Sequence, residues 1–125
     1  MSYKIEKSMR IIDELVGFCC KRGANDVDIH YNTTNKVQTV ITIVARNINV
    51  TDEDIQILTT ALNQNRQREV EECFWLISGD DSFGDELPLV GIMLDKSEVV
   101  YENGTLTITS YREEKQVDES NFWSR

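Results

Sequence analysis

The sequence is poor in the residues that most often carry chemistry. It has a single histidine, His30, and only three cysteines in 125 residues. Cys19 and Cys20 are adjacent in a predicted helix and Cys73 lies in another. An odd count without paired spacing excludes a disulfide framework. Zinc needs about four ligands at characteristic spacings, and these residues do not supply them, so no metal site is expected. The cysteines are expected to be small buried hydrophobes. No apolar run approaches the ~20 residues that span a bilayer, and Met1–Lys7 has no apolar stretch of signal-peptide type. The expected setting is therefore cytoplasmic, with no membrane partner. Cationic residues are also scarce, 13 against 22 acidic ones, for a net charge of −9. Nucleic-acid binders gather Lys and Arg to displace counterions from phosphates, so nucleic acid is not an expected partner.

What is present is an ordinary globular composition, 40% apolar, which supports a real core. The length suits one domain over residues 1–125. Its core is expected over about 9–112, followed by a charged, loose tail, 113–125, whose Phe122 and Trp123 could dock back.

Met9, Ile12, Val16 and Cys19 recur at helical spacing, extended by Ile5 and widened by Leu15, so 8–21 is an amphipathic helix ending at Gly23. Val27, Ile29 and Tyr31 alternate with Asp28, His30 and Asn32 as a half-buried strand, which leaves His30 exposed. A second strand over 37–45 carries Val37, Thr39, Ile41 and Ile43 on one face, with Val40 and Val44 on the other. Two partly apolar faces predict a central strand covered on both sides. Thr51 and Asp54 form a capping box for a helix whose stripe is Ile55, Leu58, Ala61 and Leu62. A further helix carries Val70, Cys73, Phe74 and Ile77. Asn103-Gly104 is a turn before a strand over 105–112, with Leu106 and Ile108 inward. Residues 97–102 fit either a helix end or the first arm of that hairpin. Together these elements predict an α/β fold: a two-layer sandwich with helices on one face of a mixed sheet.

The order of elements resembles the histidine kinase-like (Bergerat-type) ATPase domain, over roughly residues 9–112. Three segments carry the likeness. Lys21-Arg22-Gly23-Ala24 is similar to the family's helix end, a basic residue before Gly-Ala and a strand. In that register the magnesium-binding Asn falls at Gly17. Val44 to Ile55 resembles the Asp-Asn-Gly-x-Gly-Ile segment and the acidic helix start after it. Here the adenine-recognising Asp falls at Ala45, the glycines at Asn47 and Asn49. Finally, Val90-Gly91-Ile92-Met93-Leu94 through Leu106-Thr107-Ile108 is similar to the phosphate-side helix and last strand. Gly91 matches one glycine and Leu89 replaces the other. The acidic stretch Asp80-Asp81-Ser82-Phe83-Gly84 occupies the lid region.

The resemblance thus implies a retained scaffold whose nucleotide pocket, at Gly17, Lys21, Ala45, Asn47, Asn49 and Gly91, has lost the groups that hold ATP. It implies no catalytic residues, no working cofactor, and a regulatory or protein-interaction module of bacterial signalling. The alternative is a divergent ATP-binding kinase or ATPase of two-component or anti-sigma type, with ATP and magnesium as ligands. A third reading is a regulator binding a metal or small ligand in the vacated pocket. A partner or self-association surface is expected at Arg66, Arg68 and Trp75, because the run from Cys73 to Ile77 is too apolar for one helix face to bury. Asp80, Asp81, Asp85 and Glu86 lack the spacing of a calcium loop and are expected to be solvated.

Overall fold

The computed structural model describes residues 4–34, 37–77 and 86–114, without the side chains of 34 and 73–77. Helix α1 (Lys4–Lys21) is followed by strands β1 (Asp26–Thr34) and β2 (Gln38–Arg46). Three helices come next: α2 (Asp52–Leu62), α3 (Arg68–Ile77) and the short α4 (Leu87–Gly91). Strands β3 (Lys96–Glu102) and β4 (Thr105–Glu113) complete the described elements. The stretch 97–102 is thus the first arm of a hairpin. Asn103 and Gly104 take φ of 52° and 78°, the pair of positive values required by the two-residue turn that matches strand twist.

The four strands lie in the order β1-β2-β4-β3. Every neighbouring pair is antiparallel, which corrects the expectation of a mixed sheet. Two tight connections make β1–β2 and β3–β4 hairpins. The helical crossover returns β3 in the direction of β2, but β4 lies between them, so the two like-directed strands never pair.

Strand β2 is interior, as its sequence predicts. One face of β2 and β4 carries Thr39, Ile41, Ile43, Ala45, Leu106, Ile108, Ser110 and Arg112, all buried. The helices pack on this face: Ile11, Leu15 and Phe18 of α1, Leu58 and Leu62 of α2, and Val90 of α4 join the same core. Helix α1 lies over β2, α2 over β3, and α4 between the two helices.

The opposite face is only half-buried, contrary to the expectation of cover on both sides. Val40 faces Tyr111 and Val44 faces Thr107 across the β2–β4 ladder. These cross-strand neighbours shield the valines, and no described element covers this face.

Helix α2 begins at the predicted capping box. Thr51 Oγ1 accepts from the Asp54 N–H at 3.0 Å, and the Asp54 carboxylate accepts from the Thr51 N–H at 3.1 Å. The Thr51 amide and the Arg22 guanidinium hold the Asp54 carboxyl below its usual range, against some desolvation. The loop before α2 is anchored by Ile48 and Val50, both buried, and Tyr101 donates from its hydroxyl to the Ile48 carbonyl at 2.8 Å.

Candidate functional site

The positions that the resemblance assigns to a nucleotide pocket are distributed between core and surface. Gly17 is half-buried in α1, and Lys21 is exposed in its last turn. Ala45 is 0% exposed, facing Val27 on one side and Leu106 on the other. Asn47, at φ 58°, and Asn49 are exposed in the loop after β2. Gly91 is buried at the end of α4, where a Cβ would stand 1.8 Å from the Ala61 carbonyl oxygen. That glycine is required by the packing of α4 on α2. The acidic stretch 80–85 lies outside the described residues.

The most concentrated chemistry lies elsewhere, at the end of the sheet where β2 starts and β4 stops. Here α1, α3 and β4 bring charged groups into the interior. Glu71, 2% exposed, stands at the centre. Its carboxylate accepts from Lys7 Nζ at 3.0 Å, Arg66 Nε at 3.1 Å and Arg112 Nη2 at 3.3 Å. Arg112 also donates to both oxygens of Glu114, each at 3.2 Å, and to the Met93 carbonyl at 2.8 Å. The Thr39 hydroxyl donates to Glu114 at 2.7 Å. At the rim, Lys7 reaches Glu72 at 2.6 Å and Arg66 reaches Asp95 at 2.9 Å.

Burial by itself pushes the Glu71 carboxyl up, but the charges of Arg112 and Arg66 prevail and hold it below its usual range. Burial likewise opposes the Arg112 charge, and Glu71 and Glu114 more than restore it. A carboxylate stabilised by three cations is a weak base and no nucleophile. What the arrangement does is bind α1, α3 and the end of β4 to one another.

Sequence reasoning missed this network because its members are scattered from Lys7 to Glu114. One signal was available. In β4, Leu106, Ile108, Ser110 and Arg112 share one parity, so a strand assignment puts Arg112 on the core face, where a charge needs partners. Glu113 and Glu114, assigned by sequence to a loose tail, close β4 and join the network.

The expected interface residues are only partly on view. The Arg66 side chain is 7% exposed and paired inside the fold. Arg68 is more open and lies near Asp95 and Glu113. The side chain of Trp75 lies outside the described residues. His30 is exposed, as predicted. Cys19 is buried and Cys20 is exposed, correcting the expectation that both are buried. Burial, then the neighbouring Cys20, push the Cys19 thiol up to about 11, against the lowering pull of Arg22. Cys73's side chain lies outside the described residues.

Surface grooves are present among the described residues. The larger, about 550 Å³, runs along α2 and is lined by Glu53, Gln56, Ile57, Thr60, Gln64 and Pro88 among others. None of these carries a positive charge to meet a phosphate. The smaller, about 330 Å³, lies at the end of the sheet where β2 starts, across Gln38 of β2, Lys96 of β3 and Tyr111 and Glu113 of β4. Among the described residues no group of three or more His, Cys, Asp or Glu could hold a metal ion, and no helix is long and apolar enough to cross a membrane.

No family model, curated protein or solved structure matches this chain.

Proposed function

We propose that the chain is a non-catalytic module built on the histidine kinase-like ATPase scaffold, acting through protein contacts in cytoplasmic bacterial signalling. The observation that carries this reading is Ala45. Its methyl group fills a fully buried core position between β1 and β4, where the resemblance requires a carboxylate to receive the adenine amino group. Gly91 supports the same reading, since helix packing alone accounts for it. The succession of α1, a β-hairpin, three helices and a second hairpin agrees with the expected order of elements.

A hydrogen bond to a polar ligand group contributes about 1 kcal/mol net, and more where charge is involved. Losing the adenine contact and a metal ligand is expected to weaken binding by roughly several-fold to hundreds-fold. Calorimetric titration with ATP, with and without millimolar magnesium, tests the proposal. No binding tighter than about millimolar is expected, and low-micromolar, magnesium-dependent binding would restore the divergent ATPase reading.

A further inference from the structure

The two edges of the sheet are treated differently. Strand β3 carries Lys96, Glu98 and Glu102, and α2 covers its core-side face. Charges of this kind are what natural edge strands use against unwanted pairing. Strand β1 has no lysine, arginine, proline or bulge: its nine residues pair with β2 in unbroken register. Its two acidic residues are already compensated, because Arg46 reaches Asp28 at 2.8 Å and Asp26 at 3.4 Å.

Among the described residues, no helix covers the core-side face of β1 either. Ile29 lies beside Ile43, and Tyr31 beside Ile41. The β2 residues are 0% and 1% exposed, yet Ile29 and Tyr31 are 49% and 42% exposed. Helix α1 sits over β2 and leaves β1 projecting beyond it. The flank of α1 turned toward this ledge is apolar. At about 100° per residue, Ile5 and Met9 stand roughly 160–200° around the helix from Lys7, which points at α3. Both are more than half exposed. Among the described residues, edge and ledge therefore form one continuous surface: the backbone of an edge strand, the side chains of Ile29 and Tyr31 and those of Ile5 and Met9.

We propose that this surface pairs with a second copy of the same chain, β1 to β1 antiparallel about a two-fold axis at Ile29. The sheet then continues across both copies. A second copy suits the surface because β1 is self-complementary in this register. Ile29 meets Ile29 on the axis and Val27 meets Tyr31 on the core side. On the open face Asp28 meets His30 and Asp26 meets Asn32. No like charges face each other, and each carboxylate of Asp28 lies opposite an imidazole. The helix layer fits too. Strands are about 4.8 Å apart, so the two β2 strands, and the α1 helices above them, stand about 14 Å apart. That exceeds the 8–10 Å of directly packed helices. The large side chains of Met9, Ile5, Tyr31 and Ile29 from both copies fill the difference.

The inference stands on the β1 edge alone and is independent of the nucleotide reading. Light scattering on the intact chain at about 100 µM should give twice the 14.4 kDa chain mass. Ile29→Lys puts two ammonium groups on the axis and should halve that mass with an unchanged far-ultraviolet circular dichroism spectrum, since residue 29 is half-exposed. Register is tested by disulfide capture in a Cys20→Ser background. Ile29→Cys places two thiols on the axis within disulfide reach and should yield a covalent dimer, mapped by peptide mass to residue 29. His30→Cys faces Asp28 instead and should not cross-link. A monomeric intact chain, a folded Ile29→Lys variant that keeps the double mass, or cross-linking at 30 in place of 29 overturns the proposal.

Discussion

Replacing Glu71 by glutamine keeps the shape of the side chain and removes its charge. Three cations that now share its carboxylate, Lys7, Arg66 and Arg112, are left with Glu114 inside and Glu72 and Asp95 at the rim. The amide's NH₂ group also turns a donor toward groups that are themselves donors. Breaking a buried ion pair by removing one partner costs about 3–5 kcal/mol, because the remaining charge stays buried. A domain of this size has roughly 5–15 kcal/mol of stability in total. Urea unfolding followed by circular dichroism, with a slope of about 2 kcal/mol per molar, should show the midpoint falling by about 1.5–2.5 M at pH 7. Adding Lys7→Met removes one surplus cation and should recover part of the loss. The pH dependence has a definite sign. The folded Glu71 carboxyl is held below its usual range, so its contribution is present above the unfolded value near 4.3 and is lost as pH falls through the lower folded value. The gap between the native chain and Glu71→Gln should therefore narrow below about pH 4. A midpoint shift under about 0.3 M at pH 7, or a gap unchanged from pH 7 to pH 3, would refute the view of Glu71 as the centre of the clamp.

Gly91→Ala should destabilise by about 3 kcal/mol or more, because the new methyl meets backbone at Ala61 and the helices must separate; calorimetric melting measures it, and a loss under about 1 kcal/mol would show that α4 yields easily. Thr51→Ala removes one half of the capping box of α2 and should cost about 1 kcal/mol in the same assay. Thiol labelling at pH 8 should modify exposed Cys20 quickly and Cys19, buried with its thiol pushed up to about 11, only on unfolding; equal rates at the two sites would contradict the burial of α1 against the sheet.

The individual elements were legible where one face is wet and one dry. Helix α1 and strand β2 follow from the spacing of Ile12, Leu15 and Cys19 and from the alternation through Ile41 and Ile43. But Ile5 and Met9, read into the α1 stripe, and Ile29 and Tyr31, read as the dry face of a half-buried β1, are exposed, because α1 sits over β2 and not over β1. The two acceptors of the α2 capping box stand three residues apart and announce themselves. Strand direction was not legible, because alternation reports which face a residue occupies and not which neighbour it bonds. Strand β3 was ambiguous because Lys96, Glu98 and Glu102 interrupt its apolar pattern, as suits an edge. The ion network was hidden for a different reason. Lys7, Glu71 and Glu114 each look like ordinary surface charges in their local windows, and only the tertiary fold brings them together. The positions that the resemblance assigns to a pocket could be located in the sequence, but the tight seat of Gly91 is a property of packing.

The strand order β1-β2-β4-β3 also sets the sequence of events by which the chain acquires its shape. The β1–β2 and β3–β4 hairpins are contacts between near neighbours and can form within microseconds. Joining them is another matter. Ile43 must find Ile108, which closes a loop holding all of α2, α3 and α4. Loop-closure entropy is incurred before any contact of that central ladder rewards it. The docking of the two hairpins along β2 and β4 is thus the expected slow step of folding, to be checked by stopped-flow refolding. Substitutions at Ile43 or Ile108 should slow refolding, whereas changes at the outer strands should chiefly hasten unfolding.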